Sequence, residues 1–154
     1  MKVKPVPTGY QTVTAYLSIK GAAKAIEFYK QAFGAEEVNR MNAPDGSIMH
    51  ATIQIGDSKI MLADEFPEQG FKSPLSLGGS PVMLHLYVPE VDKRIEQAVK
   101  AGAKLVREVK NQFYGDRSGG VEDPFGYLWY LATHVEDVSD AELQKRIAQF
   151  GANP

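Results

Sequence analysis

Apolar and polar positions alternate over residues 11–19, with Val13, Ala15, Leu17 and Ile19 set against Thr12, Thr14, Tyr16 and Ser18. A period of two predicts a strand with one apolar face. Past Lys20-Gly21 the period lengthens. Ala22, Ile26, Tyr29 and Phe33 share one helical face, which predicts a helix over 22–33, and Gly34 stands where a C-terminal cap belongs. A strand is predicted over 36–41, and Asp45-Gly46 is a hairpin turn signal. The next strand sets Met49, Ala51, Ile53 and Ile55 against His50, Thr52 and Gln54, and Gly56-Asp57 turns the chain into a strand over 59–63.

Residues 64–81 break the pattern with three prolines, three glycines and three serines, the composition of a linker or mobile flap. Then the order restarts. Val82, Leu84, Leu86 and Val88 oppose Met83, His85 and Tyr87 in a strand over 82–88. A helix over 89–100 turns Val91, Ile95, Ala98 and Val99 inward and ends at Gly102, and a strand follows over 103–109. Residues 113–122 read as a Gly-rich, charged loop, and Asp123-Pro124-Phe125-Gly126 as a tight turn. The strand over 127–134 alternates Leu128, Tyr130, Ala132 and His134 with Tyr127, Trp129, Leu131 and Thr133. By this alternation Trp129 belongs to the core and Tyr130 to the opposite face.

The second half repeats the first. Thr14 corresponds to Met83, Ile26 to Ile95, Gly46 to Gly115 and Met61 to Tyr130, all 69 residues apart. A spacing held across strand, helix, turn and strand predicts two copies of one βαβββ unit. The fold class is therefore α+β: module 1 over 10–64, the flap over 64–81 and module 2 over 82–136, within a single domain. The strands should form a curved mixed sheet whose apolar face packs on the helices. The other face, with Thr14, Tyr16, His50, Thr52, Gln54, Met83, His85, Tyr87, Tyr130 and His134, should line a concavity. A C-terminal helix is expected over 138–150, opened by the capping box Ser139/Glu142 and carrying the narrow stripe Leu143, Ile147, Phe150.

Composition narrows the function classes. A net charge of −2 argues against nucleic acid and acidic membrane surfaces as partners. The chain has no cysteine, which excludes disulfides, thiolate metal sites and thiol nucleophiles. With no apolar signal segment and no run of membrane-spanning length, a cytoplasmic protein is expected. Gly119-Gly120 is followed by neither Lys-Ser/Thr nor a helix, so it is not a phosphate loop.

The paired modules, the Ile26-Glu27-Phe28-Tyr29 helix closing on Gly34, the hairpin Gly56-Asp57-Ser58-Lys59-Ile60-Met61-Leu62 and Asp123-Pro124-Phe125-Gly126-Tyr127 together resemble the vicinal oxygen chelate superfamily. That group includes glyoxalase I, extradiol dioxygenases, and bleomycin and fosfomycin resistance proteins. The loop Tyr114-Gly115-Asp116-Arg117-Ser118-Gly119 with Ala132-Thr133-His134 is similar to the PhnB-like branch. The resemblance implies a divalent metal held by one residue on the first and one on the last strand of each module. The matching positions here are Thr14, Met61, Met83 and Tyr130, which are poor ligands for such an ion. It also implies a homodimer that builds its cavities by association.

The candidate ligand-binding residues are Tyr16, His50, His85, Tyr87, Tyr114, Arg117 and Tyr130, with no metal ligand and no cofactor among the assignments. Arg117 offers a forked pair of donors, or a structural ion pair that orders its loop. The function expected is binding of a small aromatic or amphipathic molecule without the usual metal. The alternative is a metal-dependent lyase, isomerase or dioxygenase with a relocated site drawn from His50, His85 and His134, with Glu65 as proton shuttle.

Overall fold

The computed structural model describes residues 3–152. Its order is β1 (Tyr16–Ile19), α1 (Ala22–Phe33), β2 (Glu36–Asn42), β3 (Ile48–Ile55), β4 (Ser58–Asp64), a 3-10 turn (Pro67–Gln69), α2 (Pro74–Leu77), β5 (Met83–Tyr87), α3 (Val91–Ala101), β6 (Lys104–Asn111), β7 (Asp116–Glu122), β8 (Leu128–His134) and α4 (Asp140–Ala152). The two βαβββ units are present, each with its own four-stranded mixed sheet, ordered β1-β4-β3-β2 and β5-β8-β7-β6. In each, the first strand runs parallel to the last and the remaining pairs are antiparallel. The internal repeat extends to register: Tyr16 lies opposite Met61, and His85 opposite Tyr130.

The modules join through their helix-bearing faces. One core cluster draws Ile26, Tyr29 and Phe33 from α1, Ile53 and Leu62 from the first sheet, Ile95 and Ala98 from α3, and Val121, Trp129 and Leu131 from the second. Trp129 is 2% exposed, its ring 4.6 Å from Phe33 and 5.3 Å from Tyr29. Asp123 ties this junction together. Its Oδ2 accepts from the Tyr29 hydroxyl (2.7 Å) and the Trp129 indole N–H (2.9 Å), and its Oδ1 from the backbone N–H groups of Phe125 and Tyr127 (both 2.9 Å). Burial raises the pKa of this carboxyl, and the four donors oppose the rise. The turn read from Asp123-Pro124-Phe125-Gly126 is therefore also the bond between modules.

The two helix starts are held alike. Asp64 Oδ1 accepts from the N–H groups of Gly21 and Ala22 at the start of α1, while its Oδ2 accepts from Ile48 N–H. Its repeat partner Thr133 accepts from Val91 N–H at the start of α3 and donates to Val88 carbonyl. At the other end of α1, Gly34 takes the left-handed cap and donates to Lys30 carbonyl.

Several expectations shift. The first strand starts at Tyr16, because β4 offers a parallel partner only from Met61 onward. A register shift in β2–β3 sets Asn42 opposite Ile48, so Ile48 is buried and Met49 is exposed. Val99 of α3 also lies largely in solvent. The stretch read as a Gly-rich loop contains β7. Gly119 and Gly120 carry no side chain to shape a strand, but both sit in ladders, opposite Leu131 and Tyr130.

The 64–81 segment is ordered by contacts with both modules. Glu65 accepts from Ser73 N–H (2.7 Å) and the Ser76 hydroxyl (2.8 Å), and the Ser73 side chain caps α2. Pro74 is buried beside the β7–β8 turn, where a Cβ on Gly126 would stand 2.8 Å from its own. The tail helix is anchored to module 2. Glu142 N–H donates to Ser139 Oγ, and Arg146 donates to Glu136 (2.6 and 2.9 Å) and to Phe113 carbonyl (3.0 Å). The Phe150 ring lies 5.4 Å from that of Phe113, yet Ile147 and Phe150 stay exposed. No described helix is long and apolar enough to cross a membrane.

Candidate functional site

The helix-distal face of module 2 encloses a cavity of about 730 Å³. It is built across all four strands: alternation turns Met83 and His85 to this side, and register shifts in β6 interrupt the strict period there. Met83 and His85 come from β5 and Tyr130 from β8. Ser118 and Gly119 come from β7, and Arg107, Glu108 and Lys110 from β6. Gln112 and Tyr114 close the end where β6 turns into β7. The glycine in the floor has a direct role. A Cβ on Gly120 would stand 3.0 Å from Tyr130 Cε1, so the bare backbone is what lets the Tyr130 ring lie across it. The Arg107 guanidinium in turn lies over that ring, 5.3 Å from its centroid.

Beside the cavity is a polar cluster. The Tyr87 ring lies 4.8 Å from that of His85, tilted by 59°, and its hydroxyl donates to Asp116 Oδ2 (3.1 Å). Asp116 is 5% exposed and also bonds His134 Nδ1 (2.8 Å), while His134 Nε2 bonds Asp137 (2.8 Å). The bond to Asp137, then the bond to Asp116, hold the His134 pKa above its usual value, and Asp116 likewise raises that of Tyr87.

The corresponding face of module 1 is different. Tyr16 bonds His50 Nδ1 (3.0 Å), His50 Nε2 meets Thr52 Oγ1 (3.3 Å), and Thr52 meets the Tyr10 hydroxyl (3.3 Å). Phe71 of the 64–81 segment packs edge-on against Tyr16 at 5.6 Å. No residue of that segment lines the module 2 cavity.

Of the residues anticipated from sequence, His85, Tyr114 and Tyr130 line one cavity, with Tyr87 at its edge. Tyr16 and His50 form a pair on the other module. Arg117 is placed apart from both. It alternates with Asp116 and Ser118 and so points to the helix side, where it forms a forked pair with Asp92 of α3 at 2.7 Å for both bonds. That pair holds the Asp92 carboxyl below its usual range. Arg107, Lys110, Gln112 and Ser118 were missed. Their signal lay in extending the repeat through 104–122, which makes residues 116–122 a strand.

The positions matching the family's ligands test poorly for a metal. Thr14, Met61, Met83 and Tyr130 do not supply the oxygen and imidazole set a divalent ion needs. The three histidines do not gather: His50 is on module 1, and His134 is engaged by two carboxylates. No group of three or more His, Cys, Asp or Glu among the described residues is placed to hold an ion. Glu65, the proposed proton shuttle, is spent on Ser73 and Ser76, and these bonds lower its pKa.

Residues 12–131 match the Glyoxalase/Bleomycin resistance protein/Dioxygenase superfamily. The chain belongs to that superfamily. Among relatives of this glyoxalase-superfamily protein is the uncharacterized protein Rv0887c of Mycobacterium tuberculosis (strain ATCC 25618 / H37Rv), 42% identical over 142 residues, 90% of this chain and 84% of the relative. The X-ray structure of the Arabidopsis thaliana gene product At5g48480 matches with a TM-score of 0.65 and 27% identity, over 80% of this chain and 98% of that one. The PhnB protein from Bacillus cereus shares the fold, with a TM-score of 0.62 at 18% identity over 80% of this chain and 99% of that one.

Proposed function

We propose that this glyoxalase-superfamily protein binds a small aromatic or amphipathic molecule in the module 2 cavity, without the family's usual metal. The observation that carries this reading is the cavity itself. A space of about 730 Å³ is within the range that holds a small organic ligand. Its aromatic and imidazole surfaces, Tyr130, His85 and Tyr114, give apolar contact, and Gln112 and Ser118 give neutral hydrogen-bonding groups. Gln112 already donates to Ser118 at 3.1 Å, which leaves the serine proton free for a ligand acceptor.

Assembly belongs to the same proposal. Tyr16, Met83 and Tyr87 are 45%, 55% and 63% exposed on the helix-distal faces, and Ile147 and Phe150 are exposed on the tail. Apolar surface of this extent favours a second copy of the chain, in a twofold homodimer that covers the open faces. A thermal-shift screen of aromatic compounds tests the binding reading. Hits that raise the melting temperature of the native protein and leave Tyr130→Ala unmoved are expected. Hits that shift both proteins equally would place binding elsewhere.

A further inference from the structure

The charge at the cavity rim defines the ligand more narrowly. β6 brings two cations, Arg107 and Lys110, onto a cavity whose lining contains one acid, Glu108. Neither cation has a carboxylate partner among the described residues, whereas Arg40, Arg117 and Arg146 are each paired. Leaving a guanidinium unpaired beside a cavity keeps its N–H groups available.

Arg107 is also preorganised. Gly120 lets Tyr130 lie flat on the strand, and Tyr130 supports the guanidinium from below. A guanidinium held over a ring retains its in-plane donors, and those donors match a carboxylate in a forked pair. His85 lies opposite Tyr130 in the β5–β8 ladder and lines the same cavity, so an aromatic ring attached to that carboxylate would pack against His85, beside Tyr130. Lys110 sits on the same strand and lines the same cavity, adding a second positive charge without fixed geometry. The neutral groups Ser118 and Gln112 line the same cavity.

From this arrangement we infer that the cavity selects aromatic anions: a flat ring against His85 beside Tyr130, with its carboxylate held by Arg107 and Lys110. This inference rests on the binding reading above and specifies the ligand's charge.

Three probes of one shape separate the two claims: 2-naphthoate, 2-naphthalenemethanol and 2-naphthylmethylamine, titrated into the full chain by calorimetry and by NMR shift mapping at two salt concentrations. The naphthoate is expected to bind at least about tenfold more tightly than the alcohol, to lose that advantage as salt rises, and to shift the Arg107 Nε–H signal. The amine should bind most weakly. Arg107→Gln and Lys110→Gln, both exposed substitutions, should bring naphthoate down toward the affinity of the alcohol, with a far smaller effect on the alcohol itself. If alcohol or amine binds as tightly as naphthoate, the anion inference is overturned and the cavity reading stands. If none of the three binds, both are overturned. If naphthoate preference persists in both variants, the anion site lies elsewhere.

Discussion

Asp123 is the residue on which the joining of the two modules most depends. The carboxylate is 4% exposed and receives four hydrogen bonds, from Tyr29 of module 1 and from Trp129, Phe125 and Tyr127 of module 2. Asp123→Ala leaves four buried donors without an acceptor. One unsatisfied buried donor costs roughly 1–3 kcal/mol, and relaxation or an entering water recovers part of the total. We expect a net loss of about 3–5 kcal/mol, the range for breaking a buried charged network. In a domain of this size that lowers the melting temperature by roughly 10 °C or more. Asp123→Asn is isosteric and still costly. Its single oxygen can serve either the two backbone N–H groups or the Tyr29–Trp129 pair, and its NH₂ then faces at least one N–H that cannot accept. A loss of about 2–4 kcal/mol is expected. Urea unfolding at neutral pH measures both values. Tyr29→Phe supplies the cycle: its cost should nearly vanish in the Asp123→Ala background, since the hydroxyl has already lost its acceptor. An Asp123→Asn protein within about 0.5 kcal/mol of wild type would refute the reasoning.

Gly120→Ala places a Cβ 3.0 Å from the Tyr130 ring, so ligand affinity should fall severalfold and stability by about 1–3 kcal/mol, as read by ligand titration and urea melts. The raised His134 pKa contributes stability that is fully present below the ordinary histidine value of 6.5 and disappears as pH rises through the folded value. An NMR titration should therefore give a His134 midpoint above 6.5, and Asp137→Asn should lower it; a midpoint at or below 6.5 would contradict the geometry. Deleting residues 138–154 should weaken the proposed homodimer, because Ile147 and Phe150 are the exposed part of the tail stripe; light scattering that gives a monomer for the intact chain at micromolar concentration would rule the dimer out.

Periodicity and repeat carried the fold a long way. Two modules, their helices, the Gly34 cap and the core position of Trp129 were legible because burial imposes local periods of 2 and 3.6 on the chain. The 69-residue offset also holds in the strand register that the structure shows, Tyr16 with Met61 and His85 with Tyr130. Other features were settled only by residues far apart in sequence meeting in space. Whether residues 116–122 form a loop or a strand depended on β6 and β8 pairing on both sides, which glycine propensity opposes. Arg117 left the candidate site because alternation in that strand turns it toward Asp92, 25 residues away. Tyr16 and His50 were separated from His85 and Tyr130 because the modules join through their helix faces, around Asp123, Tyr29 and Trp129. Local pattern records which face of an element is buried; which buried faces meet, and so which polar faces share a cavity, is a property of the packed whole.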